Sequence, residues 1–242
     1  KKICEIDLSK FNSIDEKYTT IGRDSLISFL KKKIPRKKIV LGTEIWGDIK
    51  YEKNIFDLKY RTTGIAPIPI KLGGDGRSHL AITCEEQFNY LIASDGVFSN
   101  TKSIVENKIF KPIYNGGAAI RVEVKKQNIF DFNNNNISIV MGSGAHLVLY
   151  PINKAQDFNL ISIIRNKLEN KQETIKVLEN SIFKENKKLR TLFKEDLKTW
   201  PIYISGPPIK SIYKNVFYIG DAFYTFPPTF AQGAAQAIES AY

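Results

Sequence analysis

Asp221 stands where a carboxylate could do chemistry. It follows an apolar run, Val216 to Ile219, and the turn residue Gly220. A loop with Pro227-Pro228 comes next, and Gln232-Gly233 then opens an Ala-rich stretch of helical composition. Strand, carboxylate, Pro loop and helix start, in this order, suit an anionic or electron-rich cofactor. Free N–H groups at the helix start face it, and a strand-end carboxylate can bind a sugar hydroxyl. Gly233 and Ala234 would present those N–H groups, since a bulky side chain there would block approach. The plainer reading of Asp221 is a turn cap, and of Gly233 an ordinary helix start.

His146 and Tyr150 are four residues apart on one expected strand, so both point to the same face. Histidine can take up a proton near neutral pH, although a sheet histidine packed against a tyrosine is the alternative. Arg121 could pair with a carboxylate of a bound molecule or make a structural salt bridge. Arg23 begins an expected helix, and a solvated helix-face arginine is its plainer reading. Asp95 sits in Ser94-Asp95-Gly96, a turn-forming triplet. His79 reads as an exposed strand residue.

The elements that must position these residues are legible from periodicity. Residues 22–34 read as a helix with Leu26, Phe29, Leu30 and Ile34 on one face, stopped by Pro35. Residues 38–45, 54–61 and 78–85 read as strands, with a Pro/Gly-rich loop from Gly64 to Gly76. Tyr90 to Ser94 reads as a buried strand, apolar without alternation. Ala118 to Val124 alternates around Arg121. Ile137 to Met141 and Ala145 to Ile152 are joined through Gly142-Ser143-Gly144, a hairpin-type turn. Phe158 to Arg165 is a further strand. Residues 171–197 read as one or two amphipathic helices, with Ile175, Leu178, Ile182, Leu189, Leu192 and Phe193 inward. Thr199 to Ser205 is a strand and Pro207-Pro208 a turn. The chain has no internal repeat.

Three segments together resemble, in order, the flavin motifs of the FAD-dependent aromatic-ring monooxygenases, the class A flavoproteins that include salicylate and hydroxybenzoate hydroxylases. Residues 18–30, Y-T-T-I-G-R-D-S-L-I-S-F-L, resemble the R-x-x-L…L helix start, with Arg23 as the arginine. Residues 90–99, Y-L-I-A-S-D-G-V-F-S, resemble G-A-D-G-x-x-S. Ala93 and Ser94 replace its Gly-Ala, while Asp95, Gly96 and Ser99 match. The last segment, N-V-F-Y-I-G-D-A-F-Y-T-F-P-P-T-F-A-Q-G-A-A-Q-A-I-E-S-A-Y, resembles G-D…P…Q-G, with Gly220, Asp221, Pro228, Gly233 and Ala234 at the motif positions. Phe223-Tyr224 stand where the family often has Ala-His. The resemblance covers about residues 15–242 of the chain.

The resemblance implies an α/β fold, α+β by insertion. It comprises a discontinuous, incomplete FAD/NAD(P)-binding domain (13–104 and 213–242) and an inserted, mainly antiparallel β-sheet substrate domain (105–212). It implies that NAD(P)H reduces FAD, that O₂ adds at the flavin C4a, and that the hydroperoxide hydroxylates a phenolic or aromatic carboxylate substrate. Arg23, Asp95, Gly96, Gly220, Asp221, Pro228, Gly233 and Ala234 would bind the cofactor, with Pro228 also shaping the reactive face. Residues 142–151, G-S-G-A-H-L-V-L-Y-P, resemble the salicylate and 3-hydroxybenzoate hydroxylase branch, where this strand faces the substrate. His146 would there take the phenolic proton, with Tyr150 and Arg121 contacting substrate. The family's N-terminal G-x-G-x-x-G turn is absent, because Gly73-Gly74-Asp75-Gly76 lacks the spacing. The chain starts at Lys1 and reads as a fragment, inactive by itself. A ubiquinone-precursor ring hydroxylase with peripheral membrane contact is the second reading. A non-catalytic basic binding protein, losing its anionic partners in modest salt, is the alternative from another class.

Composition narrows the field. The net charge is +11, yet lysine supplies 29 of the 36 basic residues and is spread along the chain. That pattern favours compositional bias over a nucleic-acid surface, which usually adds arginine and aromatics in a recognisable module. Cys4 and Cys84 have no metal spacing and suggest a reducing, cytoplasmic setting without metal or disulfides. No run of 18 apolar residues exists, so no transmembrane segment is expected. No G-x-S-x-G elbow accompanies the two histidines, which excludes the familiar hydrolase arrangement.

Overall fold

The computed structural model describes residues 3–6, 20–45, 49–52, 55–62, 82–125, 136–152, 156–167, 170–184, 186–193, 198–228 and 231–242. The expected loop at Gly64–Gly76 and the expected strand residue His79 lie outside them. Along the chain run α1 (Arg23–Lys33), β1 (Thr43–Ile45), β2 (Lys50–Glu52), β3 (Ile55–Thr62), β4 (Ile82–Phe88) and β5 (Leu91–Ala93). Then come α2 (Asn100–Val105), β6 (Ile113–Lys125), β7 (Ser138–Gly142), β8 (Ala145–Ile152) and β9 (Asp157–Arg165). The chain continues with α3 (Lys171–Leu178), α4 (Lys187–Thr191), β10 (Thr199–Ile204), β11 (Val216–Tyr218) and α5 (Gly233–Glu239). The fold is mixed α/β, with antiparallel pairing around β3 and β8 and parallel pairing of β5 with β11. It divides into two units, each assembled from two chain segments: Lys1–Arg36 with Ala118–Trp200, and Lys37–Gly117 with Pro201–Tyr242.

In the first unit β6, β9, β8 and β7 lie side by side in that order. Alternation along these strands sends one set of side chains into a core and the other to the opposite face. Ile120 and Val124, Leu147 and Leu149, and Phe158, Leu160 and Ile164 form the core layer. Leu178, Ile182, Phe183, Leu189 and Phe193 cover it from the helical segment. The expected one or two helices over 171–197 resolve into α3, a π-helical turn at Glu179–Phe183, and α4. Asn170 caps α3 by accepting from the N–H groups of Gln172 and Glu173. The π-turn packs tightly: a Cβ on Gly142 would sit 3.1 Å from Ile182 Cγ1 and 3.2 Å from Ser181 Cβ. The turn at Gly142-Ser143-Gly144 is as the sequence suggests, with Gly144 at φ +72. The apolar face expected on α1 does not enter a core, for the helix has no buried residue and Phe29 is 55% exposed.

In the second unit β3 is the centre of an antiparallel sheet. β1 and β2 share one edge of it through Tyr60–Thr62 and Ile55–Asp57, and β4 pairs along Phe56–Thr62. Only Thr43–Ile45 of the expected 38–45 strand finds a partner. Arg36–Lys38 is a 3₁₀ turn, and Val40 and Leu41 are exposed. β10 neighbours β6 in the strand order, and Tyr114 and Tyr203 meet edge-on at 5.8 Å.

β5 and β11 form a parallel pair, Leu91 opposite Val216 and Ala93 opposite Tyr218. The burial without alternation expected of Tyr90–Ser94 is not what the structure shows: both strands alternate, with Ile92 61% and Phe217 48% exposed. The reason is one-sided cover. Leu91, Ala93, Val216 and Tyr218 pack with Phe56, Leu58 and Val105, and nothing described covers the other face. The backbone ladder continues past the strands at both ends, with Leu91 N–H donating to the Asn215 carbonyl and Ile219 N–H to the Ala93 carbonyl, each at 3.0 Å. The Ala-rich stretch of helical composition forms α5, which closes at Glu239.

Candidate functional site

Because β5 and β11 are parallel, their carboxyl ends lie together. Asp95-Gly96 follows one and Gly220-Asp221 the other, so two carboxylate-bearing turns leave the same end of the pair. That end is where ligands enter open α/β sheets. Gly96 (φ +84) and Gly220 (φ +57) supply backbone conformations that other residues resist.

The two aspartates have different surroundings. Asp95 is engaged locally: Oδ1 accepts from the Ser99 hydroxyl at 2.6 Å and Oδ2 from the Thr101 N–H at 3.0 Å. Ser99 Oγ in turn accepts from Lys102 N–H at 3.1 Å and caps α2. Asp95 therefore orders its own loop through both oxygens. Asp221 does not end the strand as expected, since β11 stops at Tyr218 and Asp221 sits in a 3₁₀ turn, Gly220–Ala222. One side of it is open to solvent, yet the surrounding protein desolvates its carboxyl group enough to push the pKa up. No described side chain donates to that carboxyl.

Lys102 ties the two turns together, and sequence reading overlooked it. Its side chain is buried, and Nζ donates to the Ala222 carbonyl at 2.8 Å. Burial lowers its pKa, partly offset by the Asp95 charge. Phe110 lies 5.2 Å from the ammonium. On the far side of the Asp221 turn, the Gly220 N–H donates to Ser240 Oγ at 2.7 Å, joining the turn to the end of α5. Tyr218 donates to Glu106 at 2.6 Å, and burial followed by this bond raises its pKa. A cavity of about 520 Å³ lies beside the turn, lined by Gly220, Phe223, Tyr224, Phe226, Gln236 and Glu239 among others. At Gly233 nothing lies within 4 Å of where a Cβ would stand, so the start of α5 is open. Ala234 follows it there, while Pro228 lies exposed on the preceding loop, its carbonyl accepting from Ala231 N–H at 3.2 Å. Arg23 opens α1 in the first unit and is exposed.

The second constellation is the sheet face opposite the first unit's core. His146 and Tyr150 both project there, between the buried Ala145, Leu147 and Leu149. Cross-strand partners share a face, so Met141 and Ile163 flank His146, Ile139 and Ile161 flank Val148, and Asn159 stands opposite Tyr150. Four residues of strand separate His146 from Tyr150 by about 13 Å between Cα atoms, enough for a substituted ring between their polar tips. Arg121 joins Tyr150 through Asn159. Arg121 Nε donates to Asn159 Oδ1 at 2.8 Å, and Asn159 Nδ2 donates to the Tyr150 hydroxyl at 2.5 Å. Arg121 also pairs with Glu123 at 3.1 Å, the structural salt bridge that was one of its two readings. Sequence reading also missed Asn159, a polar residue inside the apolar run F-N-L-I-S-I-I that the structure buries fully.

Among the described residues no cluster of His, Cys, Asp and Glu could hold a metal, and no helix is long and apolar enough to cross a membrane. No family model and no curated protein matches the sequence. Solved structures do match. A salicylate hydroxylase in complex with substrate aligns over 91% of this chain and 55% of its own, with TM-score 0.67 and 18% identity. The HpxO protein of Klebsiella pneumoniae, complexed with FAD and uric acid, aligns over 90% and 52%, with TM-score 0.69 and 16% identity. FqzB aligns over 90% and 50%, with TM-score 0.62 and 18% identity. The fold is that of the FAD-dependent aromatic monooxygenases. The chain spans about half the length of these structures.

Proposed function

We propose that this chain is part of an FAD-dependent monooxygenase that hydroxylates a phenolic aromatic carboxylate with NAD(P)H and O₂. The observation that carries the reading is the shared carboxyl end of β5 and β11, where two Asp-Gly-type turns leave a parallel pair and Lys102 joins them. The fold likeness includes a protein complexed with FAD and uric acid and a salicylate hydroxylase in complex with substrate, which supports the cofactor and the substrate class. In this reading residues 13–104 and 213–242 form the FAD-binding domain and 105–212 the substrate domain.

The residues present fit the cofactor. Asp221 is a partly desolvated carboxylate without a described donor, and a ribityl hydroxyl would supply one. Gly233 and Ala234 leave open backbone N–H groups at the start of α5 for the flavin's pyrimidine edge. Asp95 and Gly96 hold the second loop in shape, Gly220 admits the turn, Pro228 shapes the loop before α5, and Arg23, by the motif it opens, is assigned to the cofactor. Bound FAD supplies the oxygen-activating chemistry. The chain's part is to orient the ring and manage its protons. His146 takes the phenolic proton, which raises electron density on the ring carbon to be hydroxylated. Arg121 and Tyr150 hold the substrate's acceptor oxygens.

The test is purification of the intact protein with its flavin content measured, followed by NAD(P)H oxidation with and without salicylate or 3-hydroxybenzoate. Bound FAD and ring-dependent formation of a dihydroxylated product support the reading. An intact protein that takes up no FAD refutes it.

A further inference from the structure

Asn159 is the fully buried polar residue on the otherwise half-open sheet face, and its two hydrogen bonds have a fixed sense. Arginine only donates, so the amide atom facing Arg121 Nε must be the oxygen. The amide nitrogen then faces Tyr150 and donates to its hydroxyl oxygen. A rotated amide would set N–H against N–H at Arg121. The orientation is therefore dictated by Arg121 and passed on to Tyr150.

The consequence falls on the tyrosine. With an oxygen that already accepts from Asn159, the Tyr150 hydroxyl has its own hydrogen left to give, and no described residue takes it. Arg121 retains guanidinium N–H groups beyond those bound to Asn159 and Glu123, and its side chain is 38% exposed. This end of the face offers donors in a coordinated set. A phenolate, carboxylate or enolate oxygen satisfies both, whereas an amide N–H₂ meets donor against donor.

We infer that Asn159 is a positioning residue that fixes the Tyr150 hydroxyl as a hydrogen-bond donor and so makes this end of the sheet face select an anionic acceptor oxygen on an aromatic ligand. The inference rests on the proposed function for the aromatic nature of the ligand, and on the Arg121–Asn159–Tyr150 chain for its charge.

The experiment compares binding of salicylate and its neutral analogue salicylamide to the purified intact protein by calorimetry, so turnover does not enter. The wild type should prefer salicylate by about tenfold to hundredfold, the usual worth of a charge-assisted hydrogen bond. Asn159→Leu keeps comparable size, adds no charge and removes the amide that donates to Tyr150. The tyrosine hydroxyl is then no longer held as a donor, and the preference should fall to about threefold or less. Tyr150→Phe, which removes the hydroxyl and keeps the ring, should lower it likewise even if the Asn159 variant folds poorly. A merely structural Asn159 would weaken both ligands alike and leave the ratio unchanged. Equal binding of the two ligands by wild type, binding of neither, or a ratio unchanged in both variants would overturn the inference. Absence of FAD from a protein that still prefers the anion would sink the monooxygenase reading and leave this inference standing.

Discussion

Replacing Lys102 with methionine isolates the link between the two turns. Methionine keeps an unbranched side chain of similar reach and removes the ammonium. The lost bond, Nζ to the Ala222 carbonyl at 2.8 Å, has one charged partner and is worth about 1.5–3 kcal/mol. The Phe110 ring, 5.2 Å from the ammonium, adds about 0.5–1 kcal/mol. Against this, the variant no longer has to desolvate a charge, the burden that pushes the Lys102 pKa down. The net expectation is a loss of about 1–3 kcal/mol. Urea unfolding followed by circular dichroism reads it. Lys108→Met serves as the control, since Lys108 lies 5.7 Å from the same ring but is exposed and should change stability by less than about 0.5 kcal/mol. Flavin titration reads the second half of the argument. Ala222 is the neighbour of Asp221, so freeing its carbonyl should let the turn drift and weaken FAD binding about tenfold, equivalent to about 1.4 kcal/mol. If Lys102→Met is as stable as the control, the anchor does not exist. If stability falls but flavin affinity is untouched, Lys102 holds the fold and not the site.

His146→Ala should leave FAD bound and shift NAD(P)H oxidation from hydroxylated product to hydrogen peroxide. A loss of about 10²-fold in hydroxylation rate is expected, and an unchanged product-to-peroxide ratio would return His146 to a packing role. Asp221→Asn should weaken FAD binding without loss of stability at neutral pH. The raised pKa means that folding favours the protonated carboxyl. Its contribution is fully present below the usual carboxylate range, about pH 4, and is lost as pH rises through the raised value, so asparagine removes a penalty that exists only at the higher pH. Thermal melts across that range check the sign, and a variant less stable than wild type at pH 7 contradicts it. Gly142→Ala should destabilise by about 1–3 kcal/mol through overpacking, because its methyl would meet the π-turn at 3.1 Å. A neutral effect in denaturant titration would show that the turn yields.

The sequence carried the first unit's sheet well because its strands are long and alternate. Ala145–Ile152 has the expected ends, and the face bearing His146 and Tyr150 follows from period two alone. The parallel pair was harder to read. Three-residue apolar strands show no difference between cover on one face and on both, so the expected buried strand at Tyr90–Ser94 took in Ile92, which is exposed. The turns Asp95-Gly96 and Gly220-Asp221 were found from residue types, but the partners that fix them were not. Lys102 looks like any lysine among 29 until α2 turns it toward Ala222. Asn159 was hidden for a similar reason: only cross-strand register brings it to Tyr150, and register is not written in one strand.

The parallel pair also dictates an order of assembly. β8 and β9 close a hairpin from Ile152 to Asp157, five residues apart, whereas Leu91 must wait for Val216, 125 residues later (216 − 91). Closing the longer loop costs about 3 kcal/mol more in chain entropy. On a ribosome the hairpins can form while the chain is still growing, but β5 stays without its partner until β11 emerges. The end of β5 that carries Asp95 is thus exposed through most of synthesis. A nascent chain stalled before residue 216 would hold the hairpin sheet and lack the pair on which both turns are built.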